Sequence, residues 1–172
     1  MVGPLRKAPG GFTHLLVAVD KFTKWIEARP IMTIKLTQAV AFFFDIVHRF
    51  GVPNSIIMDN GTQFTCKEFL EFHDDYHIRV DWAAVMHPRT NRQVERANAM
   101  VLNGLKPRIY NRMKKFEGHW VEELPSILWS LRTTPSRATC FTPFFMVYGS
   151  KAILPTDLDL LTPFFGMHQK KC

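Results

Sequence analysis

Two carboxylates in this chain stand where acids can do chemistry. Asp59 closes the apolar run "SIIMD" and is followed at once by Asn60-Gly61, in the stretch "IIMDNGTQFT". Glu95 is the one acid in a segment otherwise crowded with Lys and Arg. An acid among so many cations ionises readily, and with partners it suits a hard divalent cation. Mg²⁺ takes oxygen ligands, usually one or two carboxylates with waters and substrate phosphates. Two such ions can activate an attacking oxygen and stabilise the leaving oxygen of a phosphodiester. Each acid also has an ordinary reading when taken alone. Asn-Gly between strands is hairpin chemistry with Asp59 as a turn residue, and a single Glu on a helix is a surface acid.

The elements that must position these acids decide part of the question. After Asp59, Thr65-Cys66-Lys67-Glu68 matches a capping box, and Phe69, Leu70 and Phe72 then follow helical spacing. The order is strand, turn, helix, so the hairpin reading loses. That helix is expected to end near Tyr76. Glu95 lies in a predicted helix with Val94, Ala97, Val101 and Leu105 on one face, and with Glu95 and Asn98 together on another. "HPRTNR" before it reads as a loop with a second capping box, Thr90-x-x-Gln93. Pro107 is expected to bend or end this helix.

Elsewhere, "KAPGGF" is a turn, and residues 14–20 and 24–31 read as two strands. Val40, Phe43, Phe44, Val47 and Phe50 predict a helix from Leu36, stopped by Gly51 and Pro53. Strands are expected at 55–59 and 78–85, and a last helix at 120–132 with Pro125 as a kink. The order β-β-α-β-α-β-α-α predicts an α/β domain with a mixed sheet flanked by helices. "TPFF" occurs at 142–145 and again at 162–165. That is too short for a repeat architecture and reads as chance in a Phe-rich chain.

Charge narrows the partners. Of the net +7, the whole excess lies between Pro88 and Lys115, where eight Lys and Arg face Glu95 alone. Such a stripe is either a nucleic-acid footprint or a solvated helix face. A hydrophobic content of 47% with 15 Phe excludes a disordered chain. Three widely spaced Cys fit a reduced chain better than a disulfide framework or a zinc site. The charged, proline-containing N-terminus is not a signal peptide, and the early apolar run Leu15 to Val19 is too short to span a membrane. The expectation is a nuclear or cytoplasmic protein, not a secreted one. His73 and His77 form His-x-x-x-His without an evident third ligand, which favours a structural role. The aromatics at 42–44 and 120–129 read as core or oligomer surface.

Three segments, "IIMDNGTQFTCKEF", "HPRTNRQVERAN" and "ILWSLRTTPSRATCFTPFFMVYG", together resemble the integrase core of gypsy-type LTR retrotransposons, especially plant ones. The opening "VGPLRKAPGGFTHLLVAVDKFTKWIEARP" resembles the start of the same domain. The likeness runs in order from Met1 to about Asp159, which leaves residues 1–159 as a catalytic core-like domain and 160–172 as an unassigned tail. It implies an RNase H-like fold with a mixed five-stranded sheet, in the DDE transferase superfamily. It implies 3′-end processing and strand transfer of element DNA into target DNA. The family site is two Asp and one Glu binding Mg²⁺ or Mn²⁺, the last two acids 35 residues apart. Residues 60–94 lie between Asp59 and Glu95, so the likeness makes Asp59 the second Asp and Glu95 the Glu, both catalytic and metal-binding. Asn98 in "ERAN" would belong to the supporting shell. Arg89, Arg92, Gln93 and Arg96 would face DNA phosphates. The implied partners are element DNA, target DNA and further copies of the chain, with no membrane and no small-molecule substrate.

Two departures qualify what the likeness implies. In relatives the first catalytic Asp immediately precedes the "VGP" segment, and this chain opens with Met1 at that point. The first strand is expected to be truncated, and Asp20, in the "DKFTKW" position of the next strand, is not a substitute. Arg92 stands where relatives commonly have Gly. The expectation is a strand transferase by descent, with impaired activity. A non-catalytic DNA-binding or oligomerising remnant stays open, and so does a functionless, pseudogene-derived reading frame.

Overall fold

"HLLVAV" and "IEARPI" form two antiparallel strands, β1 (His14–Val19) and β2 (Ile26–Ile31), with His14 opposite Ile31 and Val19 opposite Ile26. Asp20 builds the turn between them. Its Oδ1 accepts hydrogen bonds from the backbone N–H groups of Phe22 and Thr23 and from the Thr23 hydroxyl, at 3.1, 2.6 and 2.7 Å. This carboxylate serves the turn, the ordinary use of an Asp there.

The computed structural model describes residues 1–33, 36–58, 67–82, 88–110, 118–155 and 157. After a 3₁₀ turn at Pro9–Gly11 and the first two strands come α1 (Leu36–Phe50), β3 (Ser55–Met58), α2 (Lys67–Tyr76) and β4 (Arg79–Trp82). They are followed by α3 (Pro88–Tyr110), α4 (Trp120–Thr133) and α5 (Pro143–Tyr148). β3 and β4 pair in parallel, with Ser55 opposite Arg79. Among the described residues there are thus two separate ladders of two strands, and one isolated antiparallel bridge pairs Val2 with Leu15 of β1. Five strands were expected. The opening segment adds that bridge and a bond from the Leu5 N–H to the Thr13 carbonyl at 2.7 Å, while Pro4 between them has no N–H to donate.

Alternation along β1 sends its residues to two faces. Leu15, supported by Val17 and Val19, packs with Ala97, Val101 and Leu105 of α3 and with Trp120, Leu124, Ile127 and Leu128 of α4. Leu16 and Ala18 turn to the other face, with Ala39, Phe42 and Ile46 of α1. Further along, α1 adds Val47 to a cluster of Ile56, Met58, Phe69, Phe72 and Ile78. α1 therefore packs on both ladders, and helices cover both faces of the β1–β2 ladder. Its end follows the sequence: Gly51 has φ 88° and its N–H bonds the Val47 carbonyl at 2.8 Å, a left-handed cap that glycine tolerates.

Three helix expectations change. α3 begins at Pro88, so Thr90 lies inside its first turn and is no N-cap; proline at the first position is pre-organised for a helix. α3 also runs through Pro107 to Tyr110. Burial of Val101 and Leu105 just upstream outweighs the one backbone bond that proline removes. α5 was not anticipated. Thr142 caps it by accepting from the Phe145 N–H at 3.1 Å, Pro143 follows at the first position, and Gly149 ends it with φ 71°. The first "TPFF" is a helix start; the second lies outside the described residues. No helix among the described residues is long and apolar enough to cross a membrane.

Candidate functional site

α3 is amphipathic in the sense that matters for a site. Ala97, Val101 and Leu105 are 1%, 0% and 2% exposed, and this stripe presses the helix onto β1 and α4. Arg92, Glu95 and Arg96 are exposed, while Gln93 and Asn98 are half-buried. Arg89 lies in the first turn of α3, its side chain outside the described set. Asp59 directly follows the last residue of β3 and lies outside the described residues, as does Thr65. The structure therefore gathers five of the expected residues on two turns of one helix and leaves Asp59 undescribed.

The donors on α3 suit a hard cation. Glu95 has no hydrogen-bond or ion-pair partner among the described residues, although Arg92 and Arg96 are close in sequence. The Asn98 Oδ1, one turn on, is buried without a partner among the described residues. A carboxylate and an amide oxygen on successive turns of one helix are both hard donors of the type Mg²⁺ or Mn²⁺ takes, and neither is a soft ligand. Among the described residues no three His, Cys, Asp or Glu side chains converge on one point.

Other residues hold α3 in place. A Cβ on Gly104 would lie 2.8 Å from Ile127 Cγ2, so α3 and α4 approach closely there. Arg132 fastens α4 to β2. Its Nε and Nη2 donate to the Ile26 carbonyl at 3.0 and 2.8 Å, and Nη2 lies 3.1 Å from Glu27 Oε1. The guanidinium also stacks 4.3 Å from the Trp25 ring centre. Glu27, 8% exposed, accepts as well from Arg49 at 2.9 Å and from Trp25 Nε1 at 2.8 Å. Hydrogen bonding to Glu27 pushes the Arg49 pKa up, whereas burial pushes that of Arg132 down. Sequence reading misses this cluster. Its only signal is a charged residue inside the buried strand "WIEARPI".

His73 and His77 do not form a ligand pair. α2 ends at Tyr76; His73 is buried and His77 is exposed. His73 is 4% exposed, with neither ring nitrogen hydrogen-bonded among the described residues, and its ring stands edge-on to Phe69 at 4.0 Å. Burial holds its pKa below the ordinary imidazole value. Of the other aromatics, Trp120 and Phe42 are core, while Trp129 and Phe44 are exposed.

The integrase core domain family matches residues 2–88, half of the chain. The Gag-Pol polyprotein of Avian reticuloendotheliosis virus is 35% identical over 146 residues, 84% of this chain and 12% of the polyprotein. The chain spans as little of other curated relatives, 13% of the foamy virus Pro-Pol polyproteins. Among solved structures it is similar to the simian T-cell lymphotropic virus intasome in complex with the PP2A regulatory subunit B56 gamma. There the TM-score is 0.69 at 20% identity, over 87% of this chain and 52% of that one. It is also similar to the HTLV-2 integrase catalytic core domain in complex with magnesium, trimeric form, with a TM-score of 0.64 at 23% identity over 78% of this chain and 84% of that one. At these identities the likeness is one of fold, and the fold is RNase H-like.

Proposed function

Because this chain belongs to the integrase core domain family of the DDE/RNase H-like superfamily, we propose that it is the core of a retroelement DNA strand transferase, with Asp59 and Glu95 as its catalytic acids and α3 as its DNA-facing helix. The observation that carries this is the division of α3 into a buried stripe and an exposed row of Arg92, Glu95 and Arg96. The buried Ala97, Val101 and Leu105 fix the helix against β1 and α4, and a side chain on a fixed helix is held to the tolerance that catalysis needs. Arg92 and Arg96 offer forked donors to phosphate oxygens, which position a DNA strand without reading its sequence. Glu95, without a partner among the described residues, and Asp59 supply the carboxylates that would hold Mg²⁺ or Mn²⁺, with Asn98 in the supporting shell. When bound, the ion supplies charge stabilisation to a phosphodiester under attack. The substrates are then element and target DNA, the element a gypsy-type LTR retrotransposon, and the chain works with further copies of itself.

Strand transfer of labelled DNA ends in Mn²⁺ tests this. It is measured for the chain and for a form extended upstream by a segment carrying the family's first Asp. Asp59→Asn and Glu95→Gln are each expected to lower the rate of the active form hundreds-fold, about 3–4 kcal/mol of barrier. Activity that survives Glu95→Gln would sink the assignment. The exposed Arg92 and Arg96 also support a second reading, a DNA-binding remnant. It predicts that both forms lack activity while affinity stays salt-dependent, with Arg92→Gln/Arg96→Gln lowering the log–log salt slope by about two.

A further inference from the structure

α4 ends on a short sequence that the candidate site does not use. In Arg132-Thr133-Thr134-Pro135-Ser136-Arg137, Thr134 stands directly before a proline and three residues before an arginine. Thr-Pro occurs again at 142–143 and 162–163, but there Phe145 and Phe165 hold the third position. Between Glu123 and Asp157 the chain has no acid, against the cations Arg132, Arg137 and Lys151. Thr134 thus combines a hydroxyl, a following proline and a nearby guanidinium in a stretch without negative charge.

The fold presents that hydroxyl to solvent. Thr134 is the C-cap of α4, with φ −92° and ψ 132°, the extended backbone that a following proline imposes. It is exposed, as are Pro135 and Arg137. Its Oγ1 and its N–H both donate to the Ser130 carbonyl, at 2.7 and 3.0 Å. The hydroxyl bond is solvent-exposed, so water can replace it. Thr142 is the contrast: it is half-buried, and its Oγ1 is engaged as the cap that accepts the Phe145 N–H.

An enzyme that modifies Thr134 must accept a next residue with no N–H, and it gains from an acid that pairs with Arg137. Those are the preferences of a proline-directed Ser/Thr kinase. We propose that Thr134 is a phosphorylation site for such a kinase, and that the phosphate loosens the fastening of α4 to β2. Thr134 Oγ1 attacks the γ-phosphorus of ATP, and the bond from that phosphorus to the β,γ-bridging oxygen breaks. ADP leaves, and the hydroxyl proton passes to the kinase's catalytic base. The phosphorylated Oγ1 can no longer donate to Ser130. A charge of about −1.5 to −2 then sits against the negative end of the helix. The last turn of α4 carries Arg132, whose bonds to Ile26 and Glu27 hold the helix on β2.

The test incubates the full chain with a purified cyclin-dependent kinase, its cyclin and ATP, and locates phosphate by tandem mass spectrometry. Phosphate is expected on Thr134 and not on Thr142. Thr134→Val should remove it, and Pro135→Ala should slow its incorporation at least tenfold. Arg137→Gln, at an exposed side chain, should slow it at least threefold, and it carries the comparison if Pro135→Ala fails to fold. The phosphorylated chain should melt about 2–4 °C below the same sample after phosphatase treatment. Its Thr134 amide should also exchange faster with solvent. Three results overturn the proposal: no phosphate on Thr134, incorporation there at the parent rate in both Pro135→Ala and Arg137→Gln, or a phosphorylated chain that melts with the phosphatase-treated one.

Discussion

Replacing Glu27 by Gln asks what keeps α4, on which α3 packs, in place. Gln retains an acceptor for Trp25 Nε1, now 2.8 Å from Glu27 Oε1, and removes only the charge. Two guanidiniums then lose the Glu27 charge, although Arg49 keeps Asp45 at 2.9 Å. Arg49, with a side chain 41% exposed, stays hydrated, so its share is about 0–1 kcal/mol. Arg132 is 19% exposed on its side chain, against 11% for Glu27. Removing one partner of a fully buried pair costs about 3–5 kcal/mol, and the residual exposure puts this pair near or below the lower end. The expected loss is about 2–3 kcal/mol, a large part of a typical stability of about 5–15 kcal/mol. In urea, with a slope of about 1–3 kcal/mol per molar, the unfolding midpoint should fall by roughly 1 M or more. Adding Arg132→Met in the Glu27→Gln background removes the stranded charge and should recover part of the loss. A shift below about 0.5 kcal/mol, the scale of ordinary surface substitutions, would refute the reasoning. So would a double variant no more stable than Glu27→Gln.

Two further outcomes follow from the packing around the site. Gly104→Ala places a methyl 2.8 Å from the buried, β-branched Ile127. Overpacking of about 1–3 kcal/mol should exceed the ~1 kcal/mol helix-propensity gain of Ala over Gly. A thermal melt should show net destabilisation, relieved by Ile127→Val; an unchanged midpoint in Gly104→Ala would contradict the close helix approach. His73 supplies a pH dependence. Its folded pKa lies below the ordinary 6.5 because burial disfavours the cation, so the unfolded chain binds the proton more tightly. Stability is full above about pH 6.5 and falls as pH drops through that value, by at most about 1.4 kcal/mol per unit, until the folded histidine also protonates. Urea melts at several pH values should show this slope in the parent chain and its loss in His73→Leu. Parallel slopes in the two would rule out His73 as the source.

The parts of this molecule that were legible in sequence share a physical cause. Ala97, Val101 and Leu105 announced their stripe because a helix buries one face at a fixed period. Glu95 stood out because its type conflicts with the cations around it. Such signals are local, and a single chain displays them. The boundaries of α3 were harder, since "HPRTNR" read as a loop although Pro88 suits a first helical position, and Pro107 read as a break until burial against α4 is known to outweigh one lost bond. The start of α5 was passed over, although Thr142, Pro143 and Gly149 hold the cap, first position and left-handed stop that such a helix needs. The fastening of Glu27 to Arg49 and Arg132 was illegible for a different reason. Its members are ordinary residues far apart in sequence, and only the pairing of β2 beneath α1 and α4 makes them neighbours. A residue whose type conflicts with its neighbours is thus easier to read from sequence than one that fastens distant elements together. A mutational study guided by sequence alone would alter Glu95 and overlook Glu27, on which the placement of α4, and through it α3, depends.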